Sequence, residues 1–99
     1  MPFVQIIQFR STKFDEMRQV EEEWDAAARE QGTARRVLNC QDRNNPGQYF
    51  TLAFFDSYES AMENSQSATT QELSQRMAAL ADGPPTFYDL DIVEDRKFD

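Results

Sequence analysis

Two carboxylates, Asp89 and Asp91, stand two residues apart near the end of the chain, a spacing that puts both on one face of a strand. Paired carboxylates bind Mg²⁺ or Ca²⁺, or share a proton. Two such groups without a third ligand make a poor metal site, so a solubility role on an edge strand is the competing reading. The single cysteine, Cys40, offers a thiol but no partner base. Its other reading is a small buried hydrophobe, and one cysteine forms no intrachain disulfide. The chain has no histidine. That count removes Ser–His and Cys–His nucleophiles, an imidazole proton shuttle, the usual zinc sites and a proximal haem ligand. Lysine occurs only at 13 and 97, both near expected element ends, so no Schiff-base lysine is expected. Glycine occurs only at 32, 47 and 83, which leaves no glycine-rich phosphate loop. No metal and no cofactor is expected.

Aromatic and amide chemistry remains. Gln8, Trp24, Arg36, Phe54, Met62, Asn64 and Tyr88 are the types that line a pocket for a planar organic ligand. Arg36 is the candidate for stabilising an anion on such a ligand, and Gln8 or Asn64 for hydrogen-bonding it. A plainer reading stands beside this one. Trp24, Phe54, Met62 and Tyr88 also fit a packed core, Arg36 an edge strand and Asn64 a helix end.

The elements that must position these residues follow from periodicity. Residues 3–10 are β-branched and aromatic and predict a strand. Thr12 with Asp15 resembles a capping box. Phe14, Met17, Val20, Trp24 and Ala27 or Ala28 recur every three to four residues, predicting a helix over 13–31. Arg18–Glu22 and Asp25–Arg29 form i,i+4 pairs on its wet side, and Glu21-Glu22-Glu23 reads as a solvated face. Strands are expected at 33–42 and 48–55, joined by the turn-forming run 42–47. Asp56 and Ser57 offer N-caps to a short helix carrying Tyr58, Ala61, Met62 and Ser65. Residues 66–68 interrupt it weakly, and Thr69 with Glu72 restarts helix with Leu73, Met77, Leu80 and Ala81 as its buried stripe. Asp82-Gly83-Pro84-Pro85 ends that helix, and 86–94 predicts a last strand.

Strand, helix, strand, strand, helix, strand is the ferredoxin-like βαββαβ plan: an α+β fold with one four-stranded antiparallel sheet and helices on one face. Residues 1–99 are expected to form one domain. Right-handed crossovers put strands 1 and 3 in the middle. Alternation assigns Val4, Ile6, Leu38, Phe50, Leu52, Phe54, Leu90 and Ile92 to the helix-covered face. The uncovered face then carries Phe3, Ile7, Phe9, Val37, Tyr49, Ala53, Phe55, Phe87 and Val93. So apolar a surface requires a cover, and a second copy is the simplest one, so a homodimer through the uncovered face is expected.

The net charge of −8 disfavours nucleic acid and anionic membranes as partners. No stretch approaches the roughly 18 apolar residues of a membrane span. The first ten residues lack a basic n-region, so no signal peptide is expected and a cytoplasmic location fits.

Two segments carry a family resemblance. One is the aromatic strand ending in Phe54-Phe55 and the following Asp56-Ser57-Tyr58-Glu59-Ser60-Ala61-Met62-Glu63-Asn64-Ser65. The other is Met77-Ala78-Ala79-Leu80 with Asp82-Gly83-Pro84-Pro85-Thr86-Phe87-Tyr88-Asp89-Leu90-Asp91. With them the chain resembles the dimeric α+β barrel proteins, and among them the antibiotic-biosynthesis-monooxygenase-like group. The resemblance implies a dimer whose sheets form a barrel, with a pocket in each subunit between helices and sheet. Some relatives oxidise aromatic polyketides without metal or flavin, others degrade haem through a histidine ligand that this chain lacks, and many have no known activity. The first-strand asparagine of the haem-degrading members has no counterpart in Phe3–Arg10, where Gln8 is the nearest amide. The expected function is binding of a small aromatic or polyketide-like compound, as in cofactor-free monooxygenases. The alternative is a non-catalytic dimeric ligand-binding or structural module.

Overall fold

The structure, a computed structural model, describes residues 1–98, with the side chains of 27–31 excepted. The expected Ala27 or Ala28 end of the first helical stripe and the Asp25–Arg29 pair therefore lie outside the described residues. The elements are β1 (Phe3–Arg10), α1 (Phe14–Gln31), β2 (Arg36–Gln41), β3 (Gln48–Phe55), α2 (Tyr58–Gln66), α3 (Ala68–Leu80) and β4 (Thr86–Asp91). The strands form one antiparallel sheet in the order β2-β3-β1-β4, the order the crossover rule predicts.

Local chemistry sets the element ends. Ser57 caps α2, its hydroxyl accepting from Ser60 N–H at 3.1 Å. Asp56 is drawn off to Arg35, whose Nε and Nη2 donate to Asp56 Oδ2 at 3.0 and 2.8 Å. Ser67 separates the two helices by capping α3 through Thr70 N–H at 3.1 Å, displacing the expected Thr69 start. At the head of α1, buried Ser11 replaces the Thr12–Asp15 box. Its hydroxyl accepts from Lys13 N–H and donates to Leu80 C=O, tying α1 to the end of α3. Gly83 takes a φ of 102°, which turns the chain from α3 toward β4. Two strands are shorter than predicted. Thr33 donates its hydroxyl to Ser60 C=O instead of joining the β2 ladder, and just beyond Asp91 Ile92 N–H donates to Pro2 C=O.

The face assignment is the main correction. Phe3, Phe9 and Phe55, expected on the open side, are buried under the helices. Phe3 is 2% exposed and packs with Phe55 and α2 residues Ala61 and Met62. Phe14 of α1 stacks on Tyr49 at 4.2 Å between centroids, and Tyr49 stacks on Phe9 at 5.6 Å. Strand register carries the rest with them, so Gln5, Ile7, Val37, Thr51, Ala53 and Phe87 also face the helices. Val4, Ile6, Leu38, Phe50, Leu52, Phe54, Tyr88 and Leu90 lie on the other face, which no helix covers. Alternation divides a strand into two sets without saying which one is inside. Here both sets are apolar, so composition did not break the tie. The open face is still a greasy one, built from the set opposite to that predicted.

Candidate functional site: a cavity between two aromatic ends

On the helix side of the sheet, aromatic clusters fill the two ends. Phe3, Phe55 and Tyr58 close one, and Phe9, Tyr49 and Phe14 close the other. The middle of the same face carries smaller and polar residues, Gln5, Thr51 and Ala53. The helical roof above it offers Ala61, Ala78 and Ala81. Side chains of this size leave space where a Leu or Phe would fill it. The result is a cavity of about 380 Å³, within the range of small-molecule sites.

Its walls are mainly apolar, with Ile7, Met17, Val37, Leu73, Met77 and Phe87 joining the aromatic ends. Polar groups interrupt these walls, among them Ser65 of α2 and Thr70 and Ser74 of α3. Asn64 reaches it from α2, Trp24, Glu21 and Asp25 from α1, and Thr51 and Gln5 from the sheet. The Trp24 indole N–H is a buried side-chain donor without a hydrogen-bond partner among the described residues, an arrangement that asks for an explanation.

Of the seven predicted pocket residues, the cavity brings together Trp24 and Asn64. Met62 packs beside it against Phe3 and Phe55. Gln8, Arg36, Phe54 and Tyr88 stand on the opposite face of the sheet and do not line it. There Tyr88 donates its hydroxyl to Gln8 Oε1 at 3.3 Å, and the Arg36 guanidinium sits 5.8 Å from the centre of the Phe54 ring. The inverted register accounts for all four. Cys40 lies on that open face too, exposed rather than buried. Asp89 accepts from Gln5 Nε2 at 3.2 Å. Among the described residues no three His, Cys, Asp or Glu side chains gather as a metal site.

Glu21 is the residue the pattern reading missed. It was grouped with a solvated acidic run, yet it reaches the cavity. Its Oε2 accepts from Asn39 Nδ2 at 2.8 Å, and Asn39 Oδ1 accepts from the Thr51 hydroxyl at 2.8 Å. Partial burial is the largest influence on its carboxyl and raises its pKa above the ordinary glutamate range. The Asn39 bond opposes that shift, Asp25 adds to it and Arg18 opposes it. The signal was present in the spacing, because 17, 21 and 24 follow i, i+4, i+7 and place Glu21 on the Met17–Trp24 stripe.

A stability prediction follows from that carboxyl. A folded state that holds a proton more tightly than the unfolded chain loses stability as pH rises through the glutamate range to the raised value. Glu21→Gln keeps the shape and removes the charge. The variant should melt about 1–3 °C above the parent at pH 7.5, a small gain because the group is partly solvated, and the gap should close near pH 4. Calorimetry at the two pH values checks it, and a variant less stable at pH 7.5 would refute the account.

No family model and no curated protein matches the sequence. Solved structures match the fold. SnoaB, a cofactor-independent oxygenase from Streptomyces nogalater, superposes with a TM-score of 0.80 at 12% identity over 95% of each chain. The structure of Rv0793 from Mycobacterium tuberculosis gives 0.78 at 13% identity, covering 98% of this chain and 100% of the other. The crystal structure of an antibiotic biosynthesis monooxygenase gives 0.73 at 15% identity, covering 95% and 100%. The chain thus has the ferredoxin-like fold of the antibiotic-biosynthesis-monooxygenase-like proteins.

Proposed function

We propose that the protein is a homodimeric domain whose cavity takes a small planar aromatic or polyketide-like compound and oxidises it with O₂ and no bound cofactor. The observation that carries the reading is the cavity itself, apolar on most sides and bounded toward its two ends by the Phe9 and Phe55 rings. Such a space suits a flat, largely unsaturated ligand. The unpartnered Trp24 N–H and the Asn64 amide supply donors for a ligand carbonyl or enolate oxygen. For a ketone with an activated methylene the overall change is R₂CH₂ + O₂ → R₂C=O + H₂O, with O₂ as oxidant. The fold shared with a cofactor-independent oxygenase is in keeping with that chemistry, although fold alone does not assign a reaction.

The dimer belongs to the same reading. The open sheet face leaves seven side chains at least partly exposed, Ile6, Leu38, Phe50, Leu52, Phe54, Tyr88 and Leu90, and a second copy laid face to face covers both at once. A cytoplasmic protein with no nucleic-acid or membrane partner agrees with a net charge of −8. No helix among the described residues is long and apolar enough to cross a membrane.

Trp24 is the only tryptophan, so its emission reports on the cavity alone. Titration with a panel of naphthols, hydroxyquinones and aryl ketones should quench it saturably, and an oxygen electrode should show consumption with the members that bind. Trp24→Phe keeps a flat ring and loses one donor. By calorimetry it should bind oxygen-bearing members about 5- to 10-fold more weakly, the worth of one hydrogen bond. Saturable binding without oxygen uptake across the panel would leave a non-catalytic binding module. No binding by any member would sink the reading as a whole.

A further inference from the structure

We propose that Glu21 is a general base acting on the ligand in the cavity, held in place by a hydrogen-bonded chain from Thr51 through Asn39. The inference rests on the small-molecule reading of the cavity and adds a proton acceptor to it. A general base needs three things: access to the ligand, a fixed direction, and a protonation state that changes near working pH.

Access comes from α1, which places Glu21 on the cavity wall between Met17 and Trp24. Direction comes from the sheet. The Asn39 amide binds Oε2 at 2.8 Å, and the Thr51 hydroxyl fixes the Asn39 amide from its other end, also at 2.8 Å. One oxygen is committed to the sheet, and Oε1 has no protein partner among the described residues. Amide and hydroxyl are uncharged, so the chain orients the carboxylate without neutralising it as an arginine would. The raised pKa of the carboxyl makes it a better proton acceptor than a free glutamate. The charged groups acting on it are Asp25, which reinforces its basicity, and Arg18, which opposes it, both on α1. From β2 and β3 it meets the uncharged Asn39 and Thr51. On α3, Arg76 is engaged with Glu23 at 2.7 Å, and on β4 Asp89 holds Gln5.

The step is a proton transfer. A C–H bond next to a ligand carbonyl breaks, its proton passes to Oε1, and the electron pair stays on the ligand as an enolate. No oxidant is involved. Two carboxylates on one wall also select the ligand's charge, because a carboxylic acid substrate meets Glu21 and Asp25 as like charges. The substrate class is therefore a neutral, enolisable ketone whose acidic C–H lies between an aromatic ring and the carbonyl.

The test keeps O₂ out. The intact protein is mixed with 2-tetralone in anaerobic D₂O, binding is followed by Trp24 emission, and loss of the benzylic C–H signal is followed by NMR. The parent should accelerate exchange, with a rate that rises with pH through a midpoint above the ordinary glutamate range and then levels. Glu21→Gln should bind 2-tetralone within about 3-fold of the parent and lose exchange by about 100-fold or more, the usual worth of a general base. Asn39→Ala leaves the base and removes its orienting bond. That bond lowers the carboxyl pKa, so the midpoint should move to higher pH, a change that mere loosening of the fold does not produce. If 2-tetralone binds but Glu21→Gln exchanges as fast as the parent, or the parent does not accelerate exchange, the Glu21 role is overturned and the cavity reading survives. If 2-tetralone and the panel above all fail to bind, both fall. If Glu21→Gln does not fold, the Asn39→Ala profile decides, and an unmoved midpoint overturns the proposal.

Discussion

Leu52→Glu should turn the proposed dimer into single chains. Leu52 occupies the middle of the open face, across from Ile6 on one side and Leu38 on the other. Around it lie Val4, Phe50, Phe54 and Leu90. An apolar surface of this kind exceeds what a soluble monomer usually leaves uncovered. Face-to-face pairing of two such sheets falls in the class of standard interfaces, about 1,600 Å² in total. A carboxylate at the centre of a dry patch loses hydration without gaining a partner. A two-fold axis makes the change twice and sets the two charges near one another. The combined effect is on the order of a 1,000-fold rise in the dimer dissociation constant. In sedimentation velocity at about 10 μM the parent should run at twice the 11.5 kDa of one chain, and Leu52→Glu at that single mass. Gln19→Glu, which adds the same charge on an exposed position of α1, should remain paired. A parent that sediments as one chain would refute the dimer outright, and so would a paired Leu52→Glu.

The second large effect concerns folding. Phe3 lies against Phe55 and Tyr58, with ring centroids at 6.4 and 5.5 Å, and is almost wholly buried. Truncating it leaves a void at the closed end of the helix-covered face. Deleting a buried Phe side chain costs about 3–5 kcal/mol, from lost transfer energy and an unfilled cavity. Domains of this size have about 5–15 kcal/mol in total. Phe3→Ala should therefore lower Tm by roughly 15–25 °C. Phe98 is 88% exposed and provides the same chemical change where nothing packs, so Phe98→Ala should stay within about 0.5 kcal/mol of the parent. Urea unfolding at one fixed protein concentration compares the two, because an oligomer's apparent stability depends on concentration. A small loss at Phe3 would show that the helix-covered face has been misidentified.

The order of elements and the order of strands in the sheet were legible in the chain. Both depend on short-range signals, namely hydrophobic period, turn residues and the handedness of crossovers. The orientation of the sheet was not legible. On β1, Phe3, Ile7 and Phe9 compete with Val4 and Ile6, and on β3, Tyr49 and Phe55 compete with Phe50, Leu52 and Phe54. One clue was available: Gln5, Thr51 and Ala53 fall in a single set, and a face that houses a ligand needs such small and polar positions at its centre. The inverted face then misplaced Gln8, Arg36, Phe54 and Tyr88 together, which shows how one parity choice propagates through a candidate site. Trp24 does lie on the cavity wall, because the helical period fixes its face independently of the sheet. The N-cap at Ser57 was decided by Arg35, twenty-one residues upstream of Asp56, a contact that no local pattern contains.

The paired aromatic ends have a consequence for how such a domain changes its diet. Tyr49 and Phe55 are six residues apart on β3, about 20 Å along the strand, and their clusters act as stops at the two ends of a slot. Under the proposed function the stops would set how long an occupant can be, whereas Glu21, Trp24 and Asn64 would touch it from the sides. Reach and reactivity would then rest on separate groups of side chains, so substitutions at a stop would lengthen or shorten what is admitted while the flanking polar groups stay where they are.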